Sequence, residues 1–386
     1  MIDNPISQKL LLPYLNHAVS MLESGYATRA DIDAAMRYGC GYPAGPLEML
    51  DQIGASRVND LLAERFAQSG DNLHQPTALL GKLAAGEDAG SGDTDNAAAP
   101  QFRRPINTVG VVGTGTMATG IVEVFAKAGY PVTYVGRGED KVAGVRASIE
   151  KSLAKAVERG KLDEAGRDAV LANLTGATSR EALGDVDIVV EAIAEDLEIK
   201  KQLFADLDRI CKPGAILATT TSSLPITVCA ESTSRPADVI GMHFFNPAPI
   251  MKLVEVVTTE QTSADVDETV KALCDKTGKV AVSCGDRAGF IVNCLLFPYL
   301  NDAVRMVDAG EASIDEIDAA IKENVKLPMG PFALLDVVGN DVSLAIQKEL
   351  YSEFGHAGFA PAAGLEKVVA AGHLGRKTKQ GFHDYN

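Results

Sequence analysis

Hydrophobic and polar residues follow two different periods along this chain. In residues 6–86 apolar side chains recur every three or four positions, most clearly in LLPYLNHAVSML and DLLAERF, which predicts amphipathic helices. Further along, short unbroken apolar runs alternate with helical stretches. These runs lie at 106–112, 132–136, 186–192 and 215–219. Their alternation with helices predicts a parallel, doubly wound α/β domain that extends to about residue 285.

The helical pattern occurs a second time at the end of the chain. The segment PYLNHAVSMLESGYATRADIDAAMRYGCGYPAGPLEMLDQIG, which begins at Pro13, matches PYLNDAVRMVDAGEASIDEIDAAIKENVKLPMGPFALLDVVG, which begins at Pro298. All matched positions are 285 residues apart without a gap, and the similarity continues to about residue 85. Chance similarity between alanine-rich helices does not explain matched proline, glycine and aspartate positions. We therefore predict an internal duplication of a helical unit.

A glycine turn joins the first apolar run to a helix. The run ends in GTGTMATGIVEVFAKAG, and the second run, VTYVG, follows. In this setting Gly113 allows a tight turn, Gly115 lets the backbone approach a pyrophosphate, and Ala118 stands where a third glycine is usual. Thr116 and Met117 open the helix, whose N-terminus attracts anions. The pattern predicts a Rossmann-type domain that binds NAD or NADP.

The residue after the second run bears on cofactor choice. An NAD-binding fold usually places an acid there to accept hydrogen bonds from the ribose hydroxyls, but this chain has Gly136 followed by Arg137. Loss of the acid removes repulsion of a 2′-phosphate, and an arginine can pair with that phosphate, so NADP(H) is slightly favoured over NAD(H). The plainer alternative is that Arg137 is a solvated surface residue.

One histidine and one carboxylate stand out in GMHFFNPAPIMKLVEVV, residues 241–257. Glu255 lies in an apolar, strand-like segment, where a carboxylate is costly to bury without a partner, and His243 is the nearest candidate. A carboxylate that accepts from one imidazole nitrogen fixes the tautomer and leaves the other nitrogen to take a proton. The pair could act as a general base, although an isolated His and Glu are more often structural.

The composition limits the classes of binding partner and the cellular compartment that can be expected for this protein. The 386 residues suggest two or three domains, and the net charge of −16 argues against nucleic acid or an anionic membrane as partner. The six cysteines form no CxxC pair, and no zinc-ligand spacing occurs, so no metal is expected. Without a leader-like N-terminus or an apolar run of about 18 residues, we expect a cytoplasmic protein.

A local basic concentration occurs within this acidic chain. The helix predicted after Arg137 carries five basic residues: Arg146, Lys151, Lys155, Arg159 and Lys161. Such runs are usually solvated faces, but this one could instead meet the phosphates of a nucleotide-bearing substrate.

Five motifs together resemble the short-chain L-3-hydroxyacyl-CoA dehydrogenase family, which includes 3-hydroxybutyryl-CoA dehydrogenases. They are GTGTMATGI, VVEAIAED, TTTSSLPI, HFFNPAPIMKLVEVV and DRAGFIVN, and the resemblance runs from about residue 106 to the end. It implies interconversion of (S)-3-hydroxyacyl-CoA and 3-oxoacyl-CoA by hydride transfer with NAD(P), on short acyl chains such as 3-hydroxybutyryl-CoA and acetoacetyl-CoA. It also implies that His243 moves the proton, that Glu255 holds the imidazole, and that Ser222 and Asn293 hold the substrate oxygens.

The same resemblance implies further contacts. The residues placed at the dinucleotide are Glu195, Lys200, Asn246 and Lys377, and those placed at CoA are Ser152 and Arg159. For each of them ordinary surface or capping is the alternative. The chain departs from the family pattern at Gly136, at Ala118 and at Cys294, which stands where an arginine commonly follows the asparagine.

The duplicated helical unit is the largest departure. The implied organisation is an N-terminal helical repeat unit at 1–86, a flexible linker at 87–104, a Rossmann-type domain at 105–286 and a C-terminal helical domain at 287–386. Gln8 takes the position of Asn293 in the first copy. We therefore expect the first copy to be structural and to pack on the second as an intramolecular pseudo-dimer.

Two other functions fit parts of the pattern. A β-hydroxyacid dehydrogenase acting on a free acid also joins a nucleotide domain to a helical domain, but it relies on a catalytic lysine that HFFNP and Glu255 make unnecessary. A non-catalytic, cofactor-binding structural relative would keep the fold. The intact set of Ser222, His243, Glu255 and Asn293 argues against that alternative.

Overall fold

The computed structural model describes residues 1–70, 72–87 and 99–385, which fall into two compact units. One unit, called here the sheet unit, is Asn96–Asp286, and the other, the helical unit, joins Met1–Asp95 with Arg287–Asn386. Within the described ranges no helix is long and apolar enough to span a bilayer. Of the predicted linker 87–104, residues 88–98 lie outside the described part.

The end of that predicted segment is attached to the sheet unit. Arg104 forms ion pairs with Asp238 at 2.6 Å and with Asp265 at 2.7 Å, and its neighbour Arg103 pairs with Glu268 at 2.6 Å. These contacts fix the chain just before the first strand.

The strands of the sheet unit are short and mostly buried. They are β1 Val109–Val112, β2 Val132–Val135, β3 Leu174–Ala177, β4 Ile188–Glu191, β5 Ile216–Thr219, β6 Val239–Phe244, β7 Leu253–Thr258 and β8 Val280–Gly285. Within the described residues they form one sheet in the order β3-β2-β1-β4-β5-β6-β7-β8. The predicted doubly wound α/β fold is confirmed, with the strand order reversing between β1 and β4.

The prediction of parallel pairing up to residue 285 is wrong at one edge of the sheet. Strands β1 to β6 pair in parallel, but β7 runs antiparallel to β6 and parallel to β8. Only residues 245–252 connect β6 to β7, and a parallel crossover needs about a dozen residues or more. The short connection therefore forces the chain to turn back beside β6.

Helices cover the sheet and share its apolar core. They are α6 Thr116–Lys127, α7 Glu139–Glu158, α8 Glu164–Ala172, α9 Leu197–Ile210, α10 Ile226–Glu231 and α11 Ala264–Lys276. Helix α7 ends before Arg159 and Lys161, which were predicted to lie on it. The physical reason is Gly160, whose φ of +66° stops the helix.

The helical unit contains two series of helices. The first is α1 Pro5–Glu23, α2 Arg29–Cys40, α3 Pro46–Ile53, α4 Ala55–Ser69 and α5 Ala78–Ala84. The second is α12 Val292–Asp308, α13 Ile314–Ala320, α14 Pro331–Val338, α15 Asn340–Phe354 and α16 Ala363–Ala370. The bounds of α3 and α14, and of α4 and α15, are 285 residues apart at both ends.

Buried hydrogen bonds repeat at the same spacing. The Asn16 side chain donates to the Gln75 carbonyl at 2.9 Å and accepts from the Thr77 amide at 3.1 Å. Asn301 makes the equivalent bonds to the Ala360 carbonyl at 2.9 Å and the Ala362 amide at 2.8 Å. Each asparagine therefore holds the equivalent loop in its own series of helices.

An aspartate anchors the third helix of each series. Asp33 accepts from the Leu47 amide at 2.7 Å, and Asp318 accepts from the Phe332 amide at 2.9 Å. The glycine before each of these helices lies against that aspartate, so a Cβ at Gly45 would come within 2.3 Å of it. The matched glycines and aspartates in the sequence thus have one structural cause.

The first helices of the two series contact each other. The rings of Tyr14 in α1 and Tyr299 in α12 lie 5.7 Å apart. The Ser7 hydroxyl of α1 also donates, at 3.3 Å, to the carbonyl of Ala320 at the end of α13. Lys9 and Glu311 form an ion pair across the same contact. Both helices carry an internal proline at the matched position, Pro13 in α1 and Pro298 in α12.

The two series differ at their ends. Asp336 accepts hydrogen bonds from the Phe382 amide at 2.9 Å, the His383 amide at 2.8 Å and the Tyr385 hydroxyl at 3.0 Å, which fastens the C-terminal segment to α14. The matched residue Asp51 instead pairs with Arg29 at the surface. In the described part of the chain, the docked C-terminal segment is thus a feature of the second series.

His17 gives the helical unit a predicted pH dependence. Burial, with Arg287 and His356 nearby, lowers the pKa of His17 to about 3. An unfolded chain titrates near 6.5. Below that pH the unfolded state binds a proton that the folded state does not, so stability that is complete above about pH 6.5 falls as the pH drops.

We predict that His17→Phe removes this loss. Between about pH 8 and about pH 5 the variant should lose on the order of 2 kcal/mol less unfolding free energy than the unaltered protein, as measured by urea titration. His373→Phe in the same unit is the control. An identical pH dependence in all three proteins would contradict the assignment.

Candidate active site

The candidate active site is built around a cross-strand pair at the antiparallel edge of the sheet. In the pairing of β6 with β7, His243 lies directly opposite Glu255. Directly opposed residues project to the same face, so the two side chains meet. His243 Nδ1 lies 2.6 Å from Glu255 Oε2, and both residues are buried, with Glu255 0% exposed.

Ser222 completes a line of three side chains. It lies in the loop that follows β5, and its Oγ is 3.2 Å from His243 Nε2. With Nδ1–H donating to the carboxylate, Nε2 is the nitrogen that accepts from a hydroxyl. The ring of Phe245 covers the imidazole, with 4.7 Å between the ring centroids. This arrangement can accept a proton at Nε2 and return it.

A second carboxylate holds the Ser222 loop. Glu195 accepts from the Ser222 amide at 2.7 Å and from the Thr221 hydroxyl at 3.2 Å. The Thr221 hydroxyl in turn accepts from the Leu224 amide at 2.9 Å. Ser222 is therefore held through its backbone and does not cap α10, which starts at Ile226.

Beneath Glu195 lies a fully buried ion pair that the sequence did not reveal. Lys200 Nζ is 2.6 Å from Glu191 Oε1 and 3.2 Å from Glu195 Oε2, while Glu191 also accepts from the Thr219 hydroxyl at 2.6 Å. Lys200 is 1% exposed and its ammonium is engaged by two carboxylates. The available signal was a carboxylate that ends an apolar strand, followed by a lysine on the next helix.

The glycine turn has the geometry that a dinucleotide requires. Gly113 has a φ of +136°, and a Cβ there would lie 2.3 Å from the Ala192 carbonyl oxygen. A Cβ at Gly115 would meet nothing within 4 Å, so a ligand can approach this backbone. Thr116 begins α6, Met117 packs partly against the core, and Ala118 is fully buried where a third glycine is usual. The residues fit a bound pyrophosphate at the start of α6.

The two residues that follow β2 are a glycine and an arginine, so the end of this strand carries a positive charge and no acidic side chain. Gly136 is buried directly after the strand, and Arg137 is exposed. Among the residues that the structure describes, nothing forms an ion pair or hydrogen bond with the Arg137 side chain. Asn246, two residues beyond β6, is exposed as well.

Four of the five predicted basic residues surround a surface depression. Its volume is about 370 Å³, and it is lined by Ser148, Lys151, Ser152, Lys155, Ala156, Arg159 and Lys161. None of the four cations has a carboxylate partner in the described chain. The Ser152 hydroxyl donates to the buried Glu123 at 2.9 Å, and Arg146 lies elsewhere on α7, paired with Glu150.

Two predicted site residues belong to the helical unit. Asn293, 7% exposed, is the second residue of α12, and the preceding Phe290 has a left-handed φ of +47°. Lys377 lies in the C-terminal segment and pairs with Asp341 at 2.7 Å. Cys294, the departure beside Asn293, is buried with its sulfur 3.8 Å from the Arg287 guanidinium.

Comparison with known proteins gives a consistent result. The family model "3-hydroxyacyl-CoA dehydrogenase, NAD binding domain" matches residues 108–287. The model "3-hydroxyacyl-CoA dehydrogenase, C-terminal domain" matches twice, at residues 6–97 and 289–385.

Relatives with these names align over most of the chain. The 3-hydroxybutyryl-CoA dehydrogenase of Clostridioides difficile is 46% identical over 276 residues, 72% of this chain and 98% of the relative. The mitochondrial hydroxyacyl-coenzyme A dehydrogenase of Homo sapiens is 42% identical over 72% of this chain and 91% of its own. The crystal structure of (S)-3-hydroxybutyryl-CoA dehydrogenase from Ralstonia eutropha, 40% identical, superposes with a TM-score of 0.72 over 73% of this chain and 100% of that one. Since the models and relatives agree over this length, the chain belongs to the 3-hydroxyacyl-CoA dehydrogenase family.

Proposed function

We propose that this protein is an NADP(H)-preferring dehydrogenase that interconverts (S)-3-hydroxyacyl-CoA and 3-oxoacyl-CoA with short acyl chains. The observation that carries the proposal is the hydrogen-bonded line from Ser222 through His243 to the buried Glu255. The names of the relatives, two of them 3-hydroxybutyryl-CoA dehydrogenases, support a short-chain substrate.

In the oxidative direction His243 is the base. The 3-hydroxyl of the substrate gives its proton to Nε2 while the C3–H bond breaks and the carbonyl forms. When bound, the nicotinamide supplies the acceptor for the C3 hydride. Glu255 keeps Nδ1 protonated before the step and stabilises the imidazolium after it. In the reductive direction the imidazolium returns the proton from Nε2.

Neutral side chains orient the reacting oxygen. Ser222 Oγ already lies at hydrogen-bond distance from Nε2, so a substrate oxygen placed beside the two atoms can contact both groups. We assign the same orienting task to the amide of Asn293, which can donate without competing for the proton. We assign Glu195, Asn246 and Lys377 to the dinucleotide. Lys200 was expected to contact the dinucleotide as well, but its ammonium is buried against Glu191 and Glu195, so we assign it to holding Glu195 in place.

Two cationic features suit phosphate groups in an acidic protein. Arg137 is exposed beside Gly136 and suits a 2′-phosphate, which favours NADP(H). The depression lined by Lys151, Ser152 and Arg159 suits the phosphates of CoA. Because the chain carries a net charge of −16, such local cations are what lets it bind anionic ligands.

We further propose that residues 1–86 are a second copy of the C-terminal helical domain and act as a built-in partner for it. Support comes from the double match of the C-terminal family model, the repeated asparagine loops and the contact between α1 and α12. The relatives leave over a quarter of this chain unmatched, which fits one added unit. The first copy has Gln8 in place of Asn293, so its role is structural.

The state of the thiols supports a reducing compartment such as the cytoplasm. Burial raises the pKa of the Cys211 thiol to about 11 and those of the Cys229 and Cys274 thiols to about 12. Such thiols are unreactive at neutral pH.

Initial rates with acetoacetyl-CoA test the proposed reaction. We expect oxidation of NADPH to be clearly faster than that of NADH on the same preparation. His243→Ala should lower kcat by about 10²- to 10⁴-fold and leave NADPH binding, measured by fluorescence, largely intact. Retained turnover in that variant would refute the role of His243, and no rate with either cofactor would refute the short-chain substrate.

Glu191→Gln tests whether the buried Glu191–Lys200 ion pair positions the Ser222 loop through Glu195. Because it leaves buried Lys200 with one fewer carboxylate, we expect about 3 kcal/mol or more of destabilisation together with a fall in kcat. Leu273→Ala in the core of the sheet unit is the matched control, since it destabilises to a similar extent by leaving a cavity. At a temperature where both variants are folded, equal kcat values would show that Glu191 does not position the loop.

Deletion of residues 1–86 tests the built-in partner. We expect the shortened protein to dimerise or aggregate in light-scattering measurements, because the deletion exposes the apolar face of α12 that α1 covers. Tyr14→Asp in the full chain should destabilise the helical unit while NADPH binding to the sheet unit persists. A shortened protein that stayed monomeric, soluble and equally stable would count against the proposal.

A further inference from the structure

We infer that Thr114 is a second determinant of cofactor choice, because its methyl group occupies the space that an acidic side chain at position 136 would need. The inference rests on the dinucleotide site of the proposed function. It concerns the middle residue of the glycine turn, which has no role in the arguments above.

The backbone does not explain why position 136 is glycine. Gly136 is not among the glycines with positive φ, so a residue with a side chain could adopt its conformation. The obstacle is the neighbouring turn. A Cβ at position 136 would lie 2.4 Å from Thr114 Cγ2 and 3.1 Å from Val142 Cγ2. Real Cβ atoms almost never approach another atom to 2.4 Å, so Thr114 excludes any side chain there.

Thr114 cannot move aside without disturbing the phosphate turn. A β-branched side chain has few χ1 states, so the methyl group is confined. The turn itself is held in place, since the Gly113 amide donates to the Val135 carbonyl at 3.0 Å and the Ala192 carbonyl oxygen lies so close that a Cβ at Gly113 would be 2.3 Å from it. A side chain at 136 would therefore push on the backbone that faces the pyrophosphate.

Two separate features then act on the same ribose. Thr114 and Gly136 keep an acid out, which removes both the acceptor for the ribose hydroxyls and the repulsion of a 2′-phosphate. Arg137 supplies a cation without a partner among the described residues. Replacing Gly136 alone should consequently fail to produce an NAD-type site, because the new carboxylate cannot reach its place while the methyl group remains.

The severe clash involves one atom, Thr114 Cγ2, whereas Val142 Cγ2 at 3.1 Å needs to move by only a few tenths of an ångström. The Thr114 Cβ would lie 3.7 Å from the added Cβ, an ordinary contact. Thr114→Ala therefore removes the obstacle, whereas Thr114→Val keeps the Cγ2 methyl group and replaces the hydroxyl with a second methyl group. The variants to compare are Gly136→Asp, Thr114→Ala, the double variant of these two, and Thr114→Val combined with Gly136→Asp.

The measurements are binding of NADPH and NADH by fluorescence without acyl-CoA, and the melting temperature of the ligand-free protein. We expect Gly136→Asp alone to weaken both cofactors by about tenfold or more and to lower the melting temperature, as overpacking does. Thr114→Ala with Gly136→Asp should recover the melting temperature and bind NADH at least about tenfold more tightly than Gly136→Asp alone. The variant with valine should behave like Gly136→Asp.

The inference would be overturned if the substitutions at positions 114 and 136 acted independently of each other. If Gly136→Asp alone binds NADH well and melts normally, or if the effects of the two substitutions simply add, Thr114 does not control position 136. This outcome is separate from failure of the proposed function. A wild-type protein that prefers NADH would refute the proposed NADP preference, while the coupling between positions 114 and 136 would still be measured by the variants.

Discussion

The buried carboxylate of Glu255 is the constraint on which the site depends. It lies with no exposed surface between apolar neighbours on β7, where an unpartnered charge would cost several kcal/mol. The antiparallel turn from β6 to β7 supplies the partner, because it sets His243 directly opposite. The hydrogen bond that makes the burial of Glu255 tolerable also fixes the imidazole, so one contact serves both stability and the proposed proton transfer.

A second buried carboxylate near the site, Glu191, is also tolerated because it has a partner. Glu191 and Lys200 are both buried, and each is acceptable only because the other is present. Lys200 also reaches Glu195, which holds the Ser222 loop against His243. The glycine turn, the Glu191–Lys200 ion pair and His243 all lie at the carboxyl edge of the parallel strands, where doubly wound sheets bind their ligands.

Features encoded in local sequence were predictable. The repeated helices could be recognised because glycines, prolines and aspartates are needed at fixed places, as Gly45 against Asp33 illustrates. Even there one position differs, since Lys326 takes the left-handed conformation that Gly41 has in the first series. The glycine turn and the His243–Glu255 pair were likewise visible as short patterns.

Features that depend on contacts between distant segments were not predictable. The antiparallel direction of β7 and its register with β6 both follow from the short connection between the two strands. The periodicity of apolar residues does not reveal either of them. The Glu191–Lys200 pair joins a strand to a helix, and the fit of Thr114 to Gly136 joins two separate turns. Neither leaves a periodic signal in the sequence.

The tautomer of His243 tests the central claim most directly. In protein labelled with ¹⁵N-histidine, imidazole nitrogen shifts at about pH 8 report which nitrogen carries the proton, with His243→Ala giving the assignment. If Glu255 orients the ring, the proton resides on Nδ1 and Nε2 is unprotonated. A proton on Nε2 would leave no base facing Ser222 and would contradict the account.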